Sequence, residues 1–323
     1  MAVELRYAGA RADVSFRGVL RDTWSMPVVA IPARNYRGND PVTSLACLID
    51  GRMASGHGSG AIRLLNCISG KIEATLERHT NAVTSLVVLP DNVLASAIAD
   101  HSVRLWNLST NTCIAALKGH TDKVEGLALL HDKRLVSGSN DGTIRFWNTN
   151  THKCLKTIKP GLGNIGRIIA LPSGEFAYLS QGGIPVFTSA GVLDTILTRP
   201  EYRGIFSLSL LVDGRLAVAY GPRETPVIAI WDLQKRVVDI ELRGHVERVS
   251  ALLPLADGRL LSGSRDNTIK VWGQHALSQH GGARVDAADM TMEGHAGEVY
   301  ALVQHSDGRV LSGSFDGTIR VWQ

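Results

Sequence analysis

Cysteine is scarce in this chain. Four are present in 323 residues, Cys47, Cys67, Cys113 and Cys154, and no two stand in a C-x-x-C or zinc-type spacing. A disulfide framework and a structural zinc site are therefore not indicated. Cys113 and Cys154 each follow a tryptophan by seven residues and so occupy equivalent places in a repeat, too far apart to bridge. Free thiols in a reducing compartment, cytoplasmic or nuclear, are expected. Long apolar runs are also missing: none reaches the ~18 residues of a membrane-spanning helix. The stretch MAVELRYAGARADVSFRG at the start lacks the apolar core of a signal peptide. Phosphate-loop, H-E-x-x-H and nucleophile-elbow motifs are absent. Charge of one sign is not concentrated either. The formal excess is +4, from 34 Lys and Arg against 30 Asp and Glu. The basic residues are scattered singly, without the basic runs or aromatic interleaving of a nucleic-acid surface.

What the chain does have is glycine, apolar residues and repetition. Hydrophobic residues make up 44% and glycines number 33, which suits a globular protein with a sizeable core and many tight turns. Four segments are copies of one motif: LASAIADHSVRLWN ending at Asn107, LVSGSNDGTIRFWN at Asn148, LLSGSRDNTIKVWG at Gly273 and VLSGSFDGTIRVWQ at Gln323. Weaker copies end in Leu65, Phe187 and Trp231 at the tryptophan position. The series 65, 106, 147, 187, 231, 272, 322 advances by 41, 41, 40, 44, 41 and 50 residues. Upstream of the good copies lie RHTNAVTSLVVL, GHTDKVEGLALL, GHVERVSALLPL and GHAGEVYALVQH, in which a His precedes by four residues a Val that opens an alternating apolar stretch. That is strand periodicity. Each unit reads as strand, turn, strand, turn, strand ending in Trp, loop and fourth strand.

A Gly-His to Trp-Asp unit of about 40 to 45 residues with four strands is the signature of WD40 repeats. The chain resembles the WD40-repeat β-propeller family over roughly Val28 to Gln323, although the Asp after Trp survives only as Asp232. The resemblance implies an all-β, seven-bladed propeller of four-stranded antiparallel blades, within the usual range of about four to eight. The last copy stops at Trp322-Gln323 without a fourth strand, and PVVAIPARNYRGND precedes the first. The expected solution is that Val28 to Ala33 complete blade seven and protect its open edge. Residues 1–25 are then an extension without assigned role, and 26–323 the propeller, with 26–41 supplying the closing strand and the loop before blade one.

Each good repeat carries His, Ser, Asp and Trp in register: His79, Ser96, Asp100, Trp106; His120, Ser137, Asp141, Trp147; His245, Ser262, Asp266, Trp272; and His295, Ser312, Asp316, Trp322. These residue types can make a nucleophilic triad, but a triad is needed once, beside an oxyanion hole. Four copies with a fixed Trp indicate scaffolding. The resemblance implies a hydrogen-bond chain in each blade, Asp orienting His, His meeting Ser, and Ser meeting the indole. No catalytic residue, cofactor or metal is expected. His275 and His280 fall in the insertion GQHALSQHGGARVDAADM between strands three and four of blade six, read as a loop projecting from the bottom face.

The stretch GLGNIG, Gly161 to Gly166, fits the G-x-G-x-x-G dinucleotide fingerprint, which requires a helix to open from it. The residues that follow, RIIALPSGEFAYLSQ, alternate like a strand. The stretch is therefore the opening loop of a blade four that has lost its His, its turn Asp (now Gln181) and its Trp (now Phe187). That loss predicts the least internally braced blade.

Propellers of this family are platforms for proteins or peptides, so the resemblance implies a non-catalytic scaffold or adaptor that binds its partner on the top face. Residues just before each strand-opening Val or Ile and just before each turn Asp should ring the channel mouth. From them come the candidate binding residues Lys123, Asn140, Tyr202, Arg203, Arg223, Arg248, Arg265, Glu298 and Phe315. Arg and aromatic side chains are common interface anchors, and Arg pairs with carboxylate or phosphate. An acidic or phosphorylated partner is the corresponding expectation, bound by a monomeric propeller away from any membrane. The alternatives are a substrate-recruiting or ubiquitin-binding adaptor of a ubiquitin pathway and, from other classes, a nucleic-acid platform or a propeller enzyme.

Overall fold

Alternating apolar residues need two covered faces, and a lone four-stranded blade covers neither, so the blades stack on one another. The computed structural model describes residues 29–323 except 33, 36, 37, 68, 78, 200–203 and 222–225. They form seven antiparallel blades. Blade two shows the plan: Val83–Leu89, Val93–Ile98, Val103–Asn107 and Thr112–Leu117 follow one another from the channel outward. The innermost strands of the other blades are Val42–Cys47, Val124–Leu129, Ile168–Ala170, Ile205–Leu210, Val249–Pro254 and Val299–Gln304. Each touches the next in order, and the last returns against the first, closing a ring. Beside Thr318–Trp322 of blade seven lies Val29–Pro32, antiparallel, with Val29 opposite Val321 and Pro32 opposite Thr318.

Seven apolar clusters fill the seven blade interfaces. The residue at the tryptophan position always faces the preceding blade: Trp106 packs with Leu48 and Leu64 of blade one, Trp272 with Ile230 and Ile240 of blade five, and Leu65 with Leu311 and Val321 of blade seven. The large indole thus recurs because each interface needs one large filler.

The glycine in the Ser-Gly-Ser strands answers the same interface from the other side. A Cβ on Gly263 would lie 2.6 Å from Val299 Cγ1, and one on Gly313 would lie 2.4 Å from Val42 Cγ1. The opening Val of the next blade occupies that space. Gly263→Ala should therefore cost about 1–3 kcal/mol through overpacking, read as a lowered urea midpoint. An unchanged midpoint would contradict this packing.

Two blades depart from the plan. Blade four has short strands, and four rings replace its hydrogen-bond chain: Phe176 stacks on Phe187 at 5.5 Å, Phe146 meets Phe176 edge-on at 5.7 Å, and Tyr178 lies 5.9 Å from Phe187. The strand Ile168–Ala170 follows GLGNIG, so no helix N-terminus is there to hold a phosphate. Blade five gains a fifth strand. The 273–290 insertion, expected to project, is laid along the outer edge of blade five instead. Its short helix Gln274–Leu277 buries Ala276 and Leu277 in the core between blades five and six. Ala283–Val285 then pairs in parallel with Val237–Leu242. The buried Asp239 carboxylate anchors the turn between them, accepting from Gly281 N–H at 2.9 Å and Arg215 at 3.2 Å and meeting His280 Nδ1 at 2.6 Å.

Candidate functional site

The hydrogen-bond chains inside the blades run in one direction because an indole N–H can only donate. In blade three Trp147 Nε1–H donates to Ser137 Oγ at 2.8 Å. The hydroxyl then gives its own proton to His120 Nε2 at 2.8 Å, which leaves His120 Nδ1–H to donate to Asp141 Oδ2 at 2.9 Å. The corresponding distances are 2.9, 2.8 and 2.7 Å in blade six and 2.8, 2.7 and 2.9 Å in blade seven. Burial opposes charge on Asp141, but hydrogen bonds from Thr143, Thr121 and His120 outweigh it and hold the carboxyl at about 2. Similar bonds hold Asp266 and Asp316 well below the usual carboxylate range. Ser137, Ser262 and Ser312 are fully buried, so no substrate reaches these hydroxyls and the arrangement is a brace.

Blade two breaks the chain. Ser96 still takes the Trp106 indole and meets His79, at 2.8 and 3.0 Å, but Asp100 stays 3.9 Å from His79 Nδ1, which has no hydrogen-bond partner among the described residues. The expected Asp100–His79 link is therefore not made. Asp100 is held instead by the Ser102 hydroxyl at 2.6 Å, with Arg104 at 3.8 Å. The sequence also departs here, with Arg78 where the other chains have Gly119, Gly244 and Gly294 at φ 148°, 154° and 146°, a region that favours glycine.

This orphan has a pH consequence. Burial and then Arg104 push the His79 imidazole down from 6.5 to about 3. Between those values the unfolded chain binds a proton that the folded chain does not, so stability falls as pH drops from about 6.5 toward 3, by up to about 1.4 kcal/mol per pH unit. His79→Gln should flatten that slope in urea unfolding followed from neutral to mildly acidic pH. An identical slope would contradict the assignment.

Blades one and five carry networks that sequence reading missed. In blade one Leu65 replaces the Trp, and Ser55 bonds His57 at 2.8 Å. His57 lies 3.1 Å from Arg63, whose guanidinium reaches the buried Asp40 carboxylate at 3.1 Å. In blade five the Trp231 indole donates to the Tyr220 hydroxyl at 3.1 Å. A Tyr two positions beyond the usual Ser was the available signal.

The rim is built by one recurring bond. The residue before each turn donates its N–H to the carbonyl of the residue before each opening Val: Gly58 to Pro41, Ala99 to Ala82, Asn140 to Lys123, Gly221 to Gly204, Arg265 to Arg248 and Phe315 to Glu298, all within 2.8–3.3 Å. Just inside that ring, the residue after the opening Val or Ile sits in a β-bulge in six blades. Bulges re-aim side chains, and here Thr43, Thr84, Glu125, Phe206, Ser250 and Tyr300 turn into the channel. In blade four Gly166 and Arg167 share one partner, Leu179, which accepts from Gly166 N–H at 2.9 Å and donates to the Arg167 carbonyl at 3.0 Å, and Arg167 lines the same channel. The Thr43 and Thr84 hydroxyls donate to the Val83 and Val124 carbonyls of the next blade at 2.6 and 2.5 Å, stapling the ring from within. Together these residues line a cavity of about 470 Å³ at the mouth.

The structure distributes the candidate binding residues unevenly. Arg248, a candidate binding residue, is engaged within the chain: Nε and Nη2 make a bidentate pair with Glu298 at 2.9 and 2.8 Å, and Ser250 also bonds that carboxylate. Burial opposes charge on Glu298, and the bonds from Arg248 and Ser250 overcome it. The Arg248 guanidinium also lies 5.7 Å from the Phe206 ring. Lys123 pairs with Glu125 at 2.8 Å, and Asn140 lies 3.5 Å from the same carboxylate. Arg265 is exposed, and Phe315 is 55% exposed, its ring 6.3 Å from Tyr300. Tyr202, Arg203 and Arg223 lie outside the described residues, as do residues 1–25. Among the described residues no group of His, Cys, Asp and Glu could hold a metal ion, and no helix is long and apolar enough to cross a membrane.

One family model, described as WD domain, G-beta repeat (WD40), matches residues 70–107, 111–148, 237–273 and 289–323. These stretches end at the tryptophans of blades two, three, six and seven, the four blades built on the Trp–Ser–His arrangement. No curated protein matches the chain.

Proposed function

From a chain that carries four WD40 repeats within a seven-bladed β-propeller, we infer a non-catalytic scaffold whose partner, a protein or peptide, docks over the channel mouth on the top face. The fold is typical of protein-interaction scaffolds. The observation that carries the site is the convergence at one opening of exposed Phe315, exposed Arg265 and the 37% exposed Phe206 beside a half-buried Arg248–Glu298 pair. Aromatic and Arg side chains around a concave centre are the usual anchors of an interface. The engaged Arg248 supplies a fixed, neutralised floor, and exposed Arg265, with no ion pair among the described residues, supplies positive charge on the rim, which suits an acidic partner.

The test is a Phe315→Ala, Arg265→Glu double variant. Both side chains are exposed, so its melting temperature should stay near wild type. Recovery of the partners captured by wild type should fall about 30-fold or more, as for the loss of a hot spot. Equal recovery would place the interface elsewhere.

A further inference from the structure

Among the described residues four charged side chains line the channel cavity: Glu125, Arg167, Arg248 and Glu298. Three are already matched. Glu298 holds Arg248 at 2.8 Å, and Glu125 holds Lys123 at 2.8 Å. Arg167 differs. Its Nη1 donates to the buried Ser207 hydroxyl of blade five at 3.2 Å, and among the described residues no carboxylate lies within salt-bridge reach. Burial lowers its pKa, yet a guanidinium stays charged in a protein. A desolvated charge without a counter-ion is costly, and here that cost is carried by the free protein. A ligand that brings the missing negative charge gains a charge-assisted bond without desolvating the guanidinium anew.

We propose that Arg167 is a carboxylate anchor in the channel, taking an Asp or Glu side chain from a peptide segment of the partner. The inference rests on the channel mouth being the docking face. Charge arithmetic selects the carboxylate. One unmatched cation beside a neutral hydroxyl balances one negative charge, whereas a phosphate carries about −1.5 to −2 and seeks a second cation. Among the described residues that line the cavity the other cation, Arg248, is taken; Lys123 is paired with Glu125, and Arg265 lies on the rim outside the cavity lining. Leu179, Ile205 and Phe206 line the same cavity, so an apolar residue should flank the acidic one.

The experiment is selection of random dodecapeptides displayed on phage against immobilised full-length protein, wild type and Arg167→Gln. Wild type should enrich peptides sharing an acidic residue at one position beside an apolar one, and Arg167→Gln should lose the acidic preference. In synthetic peptides, Glu→Gln at that position should weaken binding to wild type about 10-fold or more and leave binding to Arg167→Gln unchanged. Because the substitution removes a part-buried charge that has no carboxylate partner among the described residues, the variant should melt no lower than wild type. Peptides sensitive to Phe315→Ala, Arg265→Glu but indifferent to Arg167→Gln would overturn the anchor and leave the docking face standing. Peptides indifferent to both variants, or no enrichment at all, would overturn both. Phosphoserine binding where Glu does not would overturn the carboxylate assignment.

Discussion

Deleting residues 1–33 is expected to lower the melting temperature by roughly 10 °C and to drive the chain into dimers or larger species. Val29–Pro32 pairs with four consecutive residues of Thr318–Trp322, and that strand carries Ile319, Val321 and Trp322, each at most 2% exposed. Without its neighbour the strand becomes an edge with unpaired backbone groups beside a large apolar face, a template for another chain. The ring suffers too. Ile319 and Val321 belong to the core shared with Val42, Met53 and Leu65 of blade one, so loosening blade seven loosens the seam where the ring closes. A loss of about 4–5 kcal/mol, at 2–4 °C per kcal/mol for a domain of this kind, gives the stated shift. Thermal unfolding and light scattering of a 34–323 chain check it. An unchanged, monomeric melt would show that the N-terminal strand is not part of the folded unit.

Ser262→Ala is expected to cost about 2–5 kcal/mol. The side chain is fully buried, and its single oxygen serves two groups: it accepts from Trp272 Nε1–H at 2.9 Å and donates to His245 Nε2 at 2.8 Å. Alanine leaves a donor and an acceptor stranded in an apolar interface, at about 1–3 kcal/mol each. Ser55→Ala in blade one is the control. Ser55 is equally buried, but Leu65 has replaced the Trp, and His57 Nε2 keeps Arg63 at 3.2 Å. That substitution should cost about 1 kcal/mol. Urea unfolding of the two variants reads the difference. Equal costs would mean that the indole bond contributes nothing to the brace.

The repeat made the ring legible, since each strand-opening Val and each Trp recurs at a position where an interface between blades must be filled. The residues of the hydrogen-bond chains were legible for the same reason, and so were the paired rim positions of five blades, each joined by one backbone bond, whereas Gly221 of blade five, bonded to Gly204, was not. What escaped was specific to single blades. The Arg248–Glu298 pair links residues 50 apart and follows from no repeat. Asp100 stands in register with Asp141 and Asp266, yet misses its His because its own turn and Arg104 hold it. The insertion reads as a loop because Ala283–Val285 finds its partner strand on a different blade. Arg167 is not one of the rim positions, which precede the opening Val or Ile, whereas the bulge turns the residue after it into the channel. In blade four the residue after the opening Ile is Gly166, without a side chain, and Arg167 beside it lines the channel.

The central claim is that partners dock over the channel mouth. Hydrogen exchange of the full chain, alone and with a partner captured by wild type, tests it most directly. The predicted result is slowed exchange at the rim loops and inner-strand starts around residues 123–125, 164–167, 205–207, 248–250, 265 and 298–300, with the outer strands unchanged. Slowed exchange confined to outer strands such as Lys153–Ile158 or to the opposite face, with the mouth unchanged, would contradict it.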